Sequence, residues 1–125
     1  MASRVRPGFE RSLSGPFRSF DLHEELTRLR EEKEWREGRR NAITLGKVGG
    51  LSVVLLAMKA GDRLEEHSAP GPISLVVREG RIRFSAEGET VEAGPEMVLT
   101  CEAGIRHEVE ALSDTVCLLN VASGG

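Results

Sequence analysis

The 125-residue sequence predicts an all-β sandwich or barrel preceded by one α-helix. From residue 41 onward, short β-forming segments alternate with turns that contain glycine, proline or aspartate, and no helical pattern interrupts them. Residues 21–38 instead carry apolar side chains at helical spacing. A chain of this length buries enough surface to form one core without disulfides or a structural metal.

The first twenty residues predict a flexible tail. They contain four Arg and four Ser against one Glu, and they lack the apolar stretch of a secretory signal. Gly8, Gly15, Pro7 and Pro16 would interrupt an amphipathic helix here. We therefore assign residues 1–20 to a tail outside the folded domain.

Residues 21–38 predict the helix. Asp21 is suited to cap its first turn, and Glu24 stands three positions later, where a carboxylate can reach back to the cap. One face carries three leucines, Leu22, Leu26 and Leu29. Gly38 is placed to end the helix. Such a narrow apolar stripe is typical of a helix that lies on the outside of a domain.

Residues 41–122 predict the β domain. Its candidate strands are 42–48, 51–59, 63–68, 73–79, 81–86, 89–92, 97–101, 106–112 and 115–122. The segments 51–58 and 115–122 are apolar on nearly both faces, whereas an antiparallel strand normally has one solvated face. The helix or a second subunit must therefore cover them, and this requirement is our reason for expecting a homodimer.

Charge, cysteines and hydropathy limit the classes of partner and compartment. A net charge of -3 and a pI near 5.7 give no electrostatic footprint for nucleic acid. The longest apolar run, Val53 to Met58, is far shorter than a membrane span. Cys101 and Cys117 match neither a zinc nor a redox motif, and we interpret them as reduced core residues. We expect a cytoplasmic protein that contacts neither nucleic acid nor membrane.

Strand alternation selects two of the three histidines as interior residues. His67 shares a face with Glu65 and Ala69, and His107 shares a face with the apolar residues two and four positions later. His23 lies on the exposed helix and is therefore not a candidate for an interior position. Two imidazoles are therefore expected to point into the same interior.

Two glycine–histidine frames resemble the motifs of the cupin superfamily. In the first, Gly61 is followed after five residues by His67, and Gly80 closes the frame. In the second, Gly104 and His107 are kept, the usual proline is absent, and Gly94 lies two residues further upstream than the pattern requires. The resemblance spans about residues 42–122. It implies a double-sheet barrel of the jelly-roll type, or double-stranded β-helix, with the histidines inside.

The resemblance also implies where a metal would bind. Cupins that bind a divalent metal usually use three histidines and one glutamate. His67 and His107 take the places of the first and last histidine, whereas Ala69 and Ile73 stand where the second histidine and the glutamate are expected. Glu65 could supply a carboxylate and restore the two-histidine, one-carboxylate set of non-haem iron enzymes. No cofactor is firmly implied; iron, manganese, nickel or zinc are the candidate ions.

Three functional hypotheses follow. In the first, the domain binds a small organic ligand in its interior through His67, His107 and Glu65, and its activity is unassigned. In the second, it is a metal-dependent enzyme of the oxygenase or isomerase type that uses His67 and His107. In the third, the helix and tail dock on a partner. No nucleophile or catalytic residue is assigned, so whether the protein is an enzyme stays open.

Overall fold

The structure is a computed structural model that describes residues 16–123. Most of the predicted tail, residues 1–15, lies outside the described residues, as do residues 124–125. Two helical segments come first: α1, Leu22–Glu31, and α2, Lys33–Arg36. None of the helices in residues 16–123 is long and apolar enough to cross a membrane.

The helical region departs from the single helix expected over residues 21–38. Its start is as predicted, because the Asp21 side chain accepts a hydrogen bond of 3.1 Å from the backbone N–H of Glu24. Glu32, however, is extended, with φ -76° and ψ 148°, and separates α1 from α2. This break lets the Glu32 carboxylate accept a 2.8 Å hydrogen bond from Nδ2 of Asn41, at the start of the β domain.

All nine predicted strands are present, with ends within two residues of those expected. They are β1 Arg40–Val48, β2 Leu51–Met58, β3 Arg63–His67, β4 Ile73–Glu79, β5 Ile82–Ala86, β6 Glu89–Ala93, β7 Val98–Cys101, β8 His107–Ala111 and β9 Thr115–Ala122. They form a five-stranded sheet, β1-β2-β9-β4-β7, and a four-stranded sheet, β3-β8-β5-β6. Neighbouring strands run antiparallel. The predicted all-β, double-sheet fold is confirmed.

The two sheets share one apolar core. Alternate residues of each strand point between the sheets, which gives β4 and β5 their regular burial pattern. The largest members are Leu56, Met58, Leu75, Val77, Ile82, Phe84 and Val109. Phe84 is the one aromatic residue of this cluster, so aliphatic side chains provide most of its packing.

A second apolar cluster lies on the outer face of the five-stranded sheet. Leu26 and Leu29 of α1 pack there against Leu55, Ala57 and Val116. The helix is therefore what covers the outward face of β2 and β9. Because that face is already covered, it does not require a second subunit, and the homodimer stays a prediction.

Asn41 fixes the helical segments to the sheet. Its side chain is 4% exposed, donates to the backbone carbonyl of Leu29 at 3.1 Å, and accepts from the backbone N–H of Ala42 at 3.0 Å. With the bond to Glu32, every polar atom of the buried amide has a partner, as burial requires. One side chain thus connects the end of α1 with the beginning of β1.

The outward face of the four-stranded sheet is charged. Arg83 contacts Glu110 at 3.0 Å and Glu92 at 3.6 Å, and Arg63 reaches Glu110 at 3.4 Å. These groups are partly exposed, and each pair contributes little to stability. Their alternation with inward apolar residues keeps this face solvated while the opposite face forms the core.

We predict that Leu29→Ala lowers the free energy of unfolding by about 3 kcal/mol, because it removes a side chain with no exposed surface and leaves a cavity beneath α1. Urea denaturation measures this change. The matched control is His23→Ala on the exposed face of the same helix, which should shift the value by less than about 0.5 kcal/mol. Equal effects of the two substitutions would contradict the docking of α1.

Candidate functional site

A cavity of about 680 Å³ opens between the two sheets. This volume lies within the range of roughly 300–1,000 Å³ that is usual for small-molecule sites. Most of its wall is apolar and comes from both sheets, with contributions from Val54, Leu56, Leu64, Leu75, Phe84, Val109, Cys117 and Leu119. The cavity can therefore surround an apolar molecule on several sides.

Polar groups line the cavity near strand ends. In the five-stranded sheet, Lys47 on β1 pairs with Ser52 on β2, and Ser52 pairs with Val121 on β9. These three residues therefore lie side by side across neighbouring strands. In the four-stranded sheet, His67 pairs with His107 at the end of β3 and the beginning of β8. The cavity thus has an aliphatic interior and a rim that carries side chains able to form hydrogen bonds.

The two predicted histidines are brought together. Their ring centroids lie 4.4 Å apart with an interplanar angle of 63°, an edge-to-face contact. Phe84 stacks on His107, with centroids 5.4 Å apart and an angle of 15°. His107 is 4% exposed, whereas His67 is exposed at the rim. The packing fixes the ring of His107, and His67 borders solvent.

Backbone carbonyls determine which ring nitrogen of each histidine carries a proton. Nδ1 of His67 lies 2.8 Å from the carbonyl oxygen of Glu65, and Nδ1 of His107 lies 3.1 Å from that of Ile105. A carbonyl oxygen only accepts, so Nδ1 must donate in both contacts. In the neutral ring the other nitrogen, Nε2, is then a hydrogen-bond acceptor.

Burial favours the neutral form of His107. Removal from water lowers the pKa of this imidazole, and the neighbouring ring of His67 lowers it further, while the hydrogen bond to Ile105 acts in the opposite direction. His107 is therefore neutral at neutral pH.

One thiol, that of Cys101, lies near His107, and the other, that of Cys117, lies in the cavity wall. Sγ of Cys101 is 3.9 Å from Nδ1 of His107, a weak contact, and burial together with Glu87 and Glu102 raises the pKa of this thiol. Cys117 lies in the cavity wall, is 1% exposed, and burial raises its pKa to about 12. Neither thiol is poised as a nucleophile, in keeping with the interpretation as core residues.

The residues do not fit a cupin metal site. Ala69 and Ile73 line the cavity at the positions expected for two further ligands and carry no donor atom. Within residues 16–123, no group of three or more His, Cys, Asp or Glu side chains is arranged to hold a metal ion. Glu65 therefore does not form such a group with His67 and His107 in the described residues, and its role as a metal ligand stays a prediction. The register of β3 shifts between Leu64 and His67, which interrupts the alternation used to place Glu65 beside the imidazole.

The glycines of the first sequence frame have a structural reason. Gly61 has φ 87° and Gly80 has φ 80°, a left-handed conformation that glycine adopts without strain. A Cβ at Gly80 would also collide with the carbonyl oxygen of Asp114.

The stacking of Phe84 on His107 was not predicted, although the alternation that makes Phe84 an inward residue of its strand is visible in the sequence.

Solved structures with similar folds identify the architecture. An RmlC-like cupin protein from Desulfovibrio desulfuricans is 28% identical, with 67% of this chain and 82% of that chain covered and a TM-score of 0.61. A cupin superfamily protein from Desulfitobacterium hafniense is 15% identical, with 68% and 78% covered and a TM-score of 0.66. The chain is a cupin-fold protein. The resemblance seen in the two glycine–histidine frames is thereby confirmed.

Cupin-fold neighbours include enzymes. Salicylate 1,2-dioxygenase from Pseudoaminobacter salicylatoxidans, solved with gentisate adducts, matches with 14% identity and a TM-score of 0.78; 94% of this chain and 38% of that chain are covered. No protein-family model matches the sequence, and no curated protein matches it. At this identity the likeness is one of fold, and the function of this cupin-fold protein must be argued from its own residues.

We predict that His107 makes the stability of the protein depend on pH. Because its folded-state pKa is lowered, the unfolded chain binds the proton more readily, so the free energy of unfolding falls as the pH drops through the ordinary histidine range. Urea denaturation between about pH 7.5 and pH 5 measures the slope. His107→Gln should flatten it, and an unchanged slope in this variant would contradict the prediction.

Proposed function

We propose that this cupin-fold protein binds a small, mainly apolar organic molecule in the cavity between its sheets, with His67 and His107 as the polar contacts. The observation that carries the proposal is the pair of touching imidazoles at the rim of an otherwise aliphatic cavity of about 680 Å³. An apolar enclosure with a few convergent polar groups is the usual composition of a small-molecule site.

Burial of apolar surface supplies the affinity in this proposal. Aliphatic side chains from both sheets surround the interior, so a ligand there leaves water over much of its surface. The two imidazoles add orientation, since each presents a nitrogen without a partner among the described residues. Glu65, which also lines the cavity, lies at the same end of β3 as His67.

The proposal involves no resident metal. Two imidazoles leave at least half of a tetrahedral coordination sphere without a protein ligand, whereas catalytic zinc sites generally have three protein ligands. The hypothesis of a metal-dependent oxygenase or isomerase would require a further metal ligand near His67 and His107. The side chains of Ala69 and Ile73 provide none.

We predict that 2-naphthol binds in the cavity and that Leu119→Trp abolishes its binding, because the indole would occupy the space between the sheets. Methyl NMR titration of the wild-type protein should show saturable shifts of leucine and valine signals from the wall, and the variant should show none. Val98→Trp is the control, since Val98 is 60% exposed on β7 and does not line the cavity. Binding that survives Leu119→Trp in a folded variant would contradict the proposed site.

We further predict that protein purified without an affinity tag holds less than about 0.1 equivalent of transition metal per chain, because residues 16–123 bring no third ligand to the two imidazoles. Elemental analysis measures the content. His67→Ala and His107→Ala provide the comparison: one equivalent of metal in the wild type that is lost in both variants would overturn the metal-free proposal.

A further inference from the structure

Each of the two histidines that line the cavity has one ring nitrogen with no hydrogen-bond partner among residues 16–123. We propose that the physiological ligand carries a hydroxyl group and donates its hydrogen to the His67–His107 pair, so that the ligand class is an alcohol or phenol with an apolar body. This inference rests on the proposed function and adds the chemical class of the ligand.

The first step is the hydrogen-bond pattern of the two rings. Each Nδ1 donates to a carbonyl oxygen two residues earlier in the chain, Glu65 for His67 and Ile105 for His107. Because these partners belong to the backbone, they cannot be exchanged for a donor. Each ring, in its neutral form, is thereby held in the tautomer that leaves Nε2 with a lone pair.

The second step is that both imidazole acceptors lie at the same end of the cavity. The ring centroids are 4.4 Å apart, and both rings line the cavity. Among residues 16–123, no side chain or backbone group donates a hydrogen bond to Nε2 of either ring. A hydroxyl at this end of the cavity can therefore donate to the Nε2 of one ring or the other, neither of which has a donor among these residues.

The third step concerns charge. Glu65 lines the same end of the cavity and adds a carboxylate to the two ring acceptors. Lys47 also lines the cavity, but it belongs to β1 in the opposite sheet and lies beside Ser52. Ser68, beside His67, also lines the cavity and can donate a hydrogen bond. A carboxylate ligand would nevertheless face the lone pairs of both ring acceptors and the charge of Glu65, whereas a hydroxyl can donate to the rings.

The fourth step is the rigidity of the acceptor. Phe84 stacks on His107, and β3 and β8 pair the two histidines directly across the strands. A ring held by packing on one side and by a backbone hydrogen bond loses little freedom when a ligand binds. The orientation of the His107 Nε2 is thus fixed before a ligand binds.

The test compares two probes that share one apolar body, 2-naphthol and 2-methoxynaphthalene, in EDTA-containing buffer at about pH 8, where neutral imidazole is expected. Methyl NMR titration gives the two dissociation constants. We expect 2-naphthol to bind roughly tenfold more tightly, the effect of one hydrogen bond to a buried acceptor. In the double variant His67→Phe/His107→Phe the ratio of the two constants should approach one, because either single substitution leaves one ring acceptor in place. His23→Phe on the exposed helix should retain the wild-type ratio.

The outcomes separate this inference from the proposed function. Equal affinity of the wild type for both probes would overturn the hydroxyl preference and leave cavity binding in place, whereas binding of neither probe would overturn the proposed function. A ratio that persists in the double variant would also overturn the inference, because the ligand hydroxyl would then donate its hydrogen bond to another group. Long-range ¹⁵N NMR of histidine-labelled wild type needs no variant: protonated Nδ1 in both rings supports the inference, and protonated Nε2 contradicts it.

Discussion

The double burial of β2 and β9 is the constraint on which the rest of the structure depends. These two strands are apolar toward both sides, so one sheet alone cannot keep them out of water. The four-stranded sheet covers the inner face, and α1 covers the outer face with Leu26 and Leu29. The molecule is therefore built in three layers around the central strands, and the cavity occupies the part of the inner interface that side chains leave unfilled.

The candidate site arises from the same layering. Cross-strand pairing of β3 and β8 sets His67 against His107, and the inward position of Phe84 on β5 provides the surface on which His107 stacks. Desolvation holds His107 in its neutral form, which suits an imidazole that accepts rather than one that pairs with an anion. The depleted ligand set and the hydrogen-bond pattern both support our proposal that the two imidazoles bind an organic molecule rather than a metal ion.

Local sequence patterns predicted most of the fold, because strand alternation, turn residues and the Asp21 cap act over a few positions. The histidine pair was also predictable, since strand alternation and the glycine frames single out His67 and His107, although only His107 is buried and His67 borders solvent. Three features depended on contacts between distant residues and could not be read from local patterns. The break at Glu32 is tied to Asn41, nine positions later. The position of Glu65 depends on a register shift in β3, and the cover over β2 was left open between the helix and a second subunit.

Cys117 gives the cavity wall a property of a different kind. Its thiol is buried, uncharged and in contact with the space that a ligand would fill. A thiolate is the form that reacts with alkylating reagents, so this side chain is inert unless the sheets separate and water enters. The rate at which Cys117 is alkylated therefore reports how often the two sheets separate. A ligand bound in the cavity would lower this rate without contacting the outer surface of the molecule.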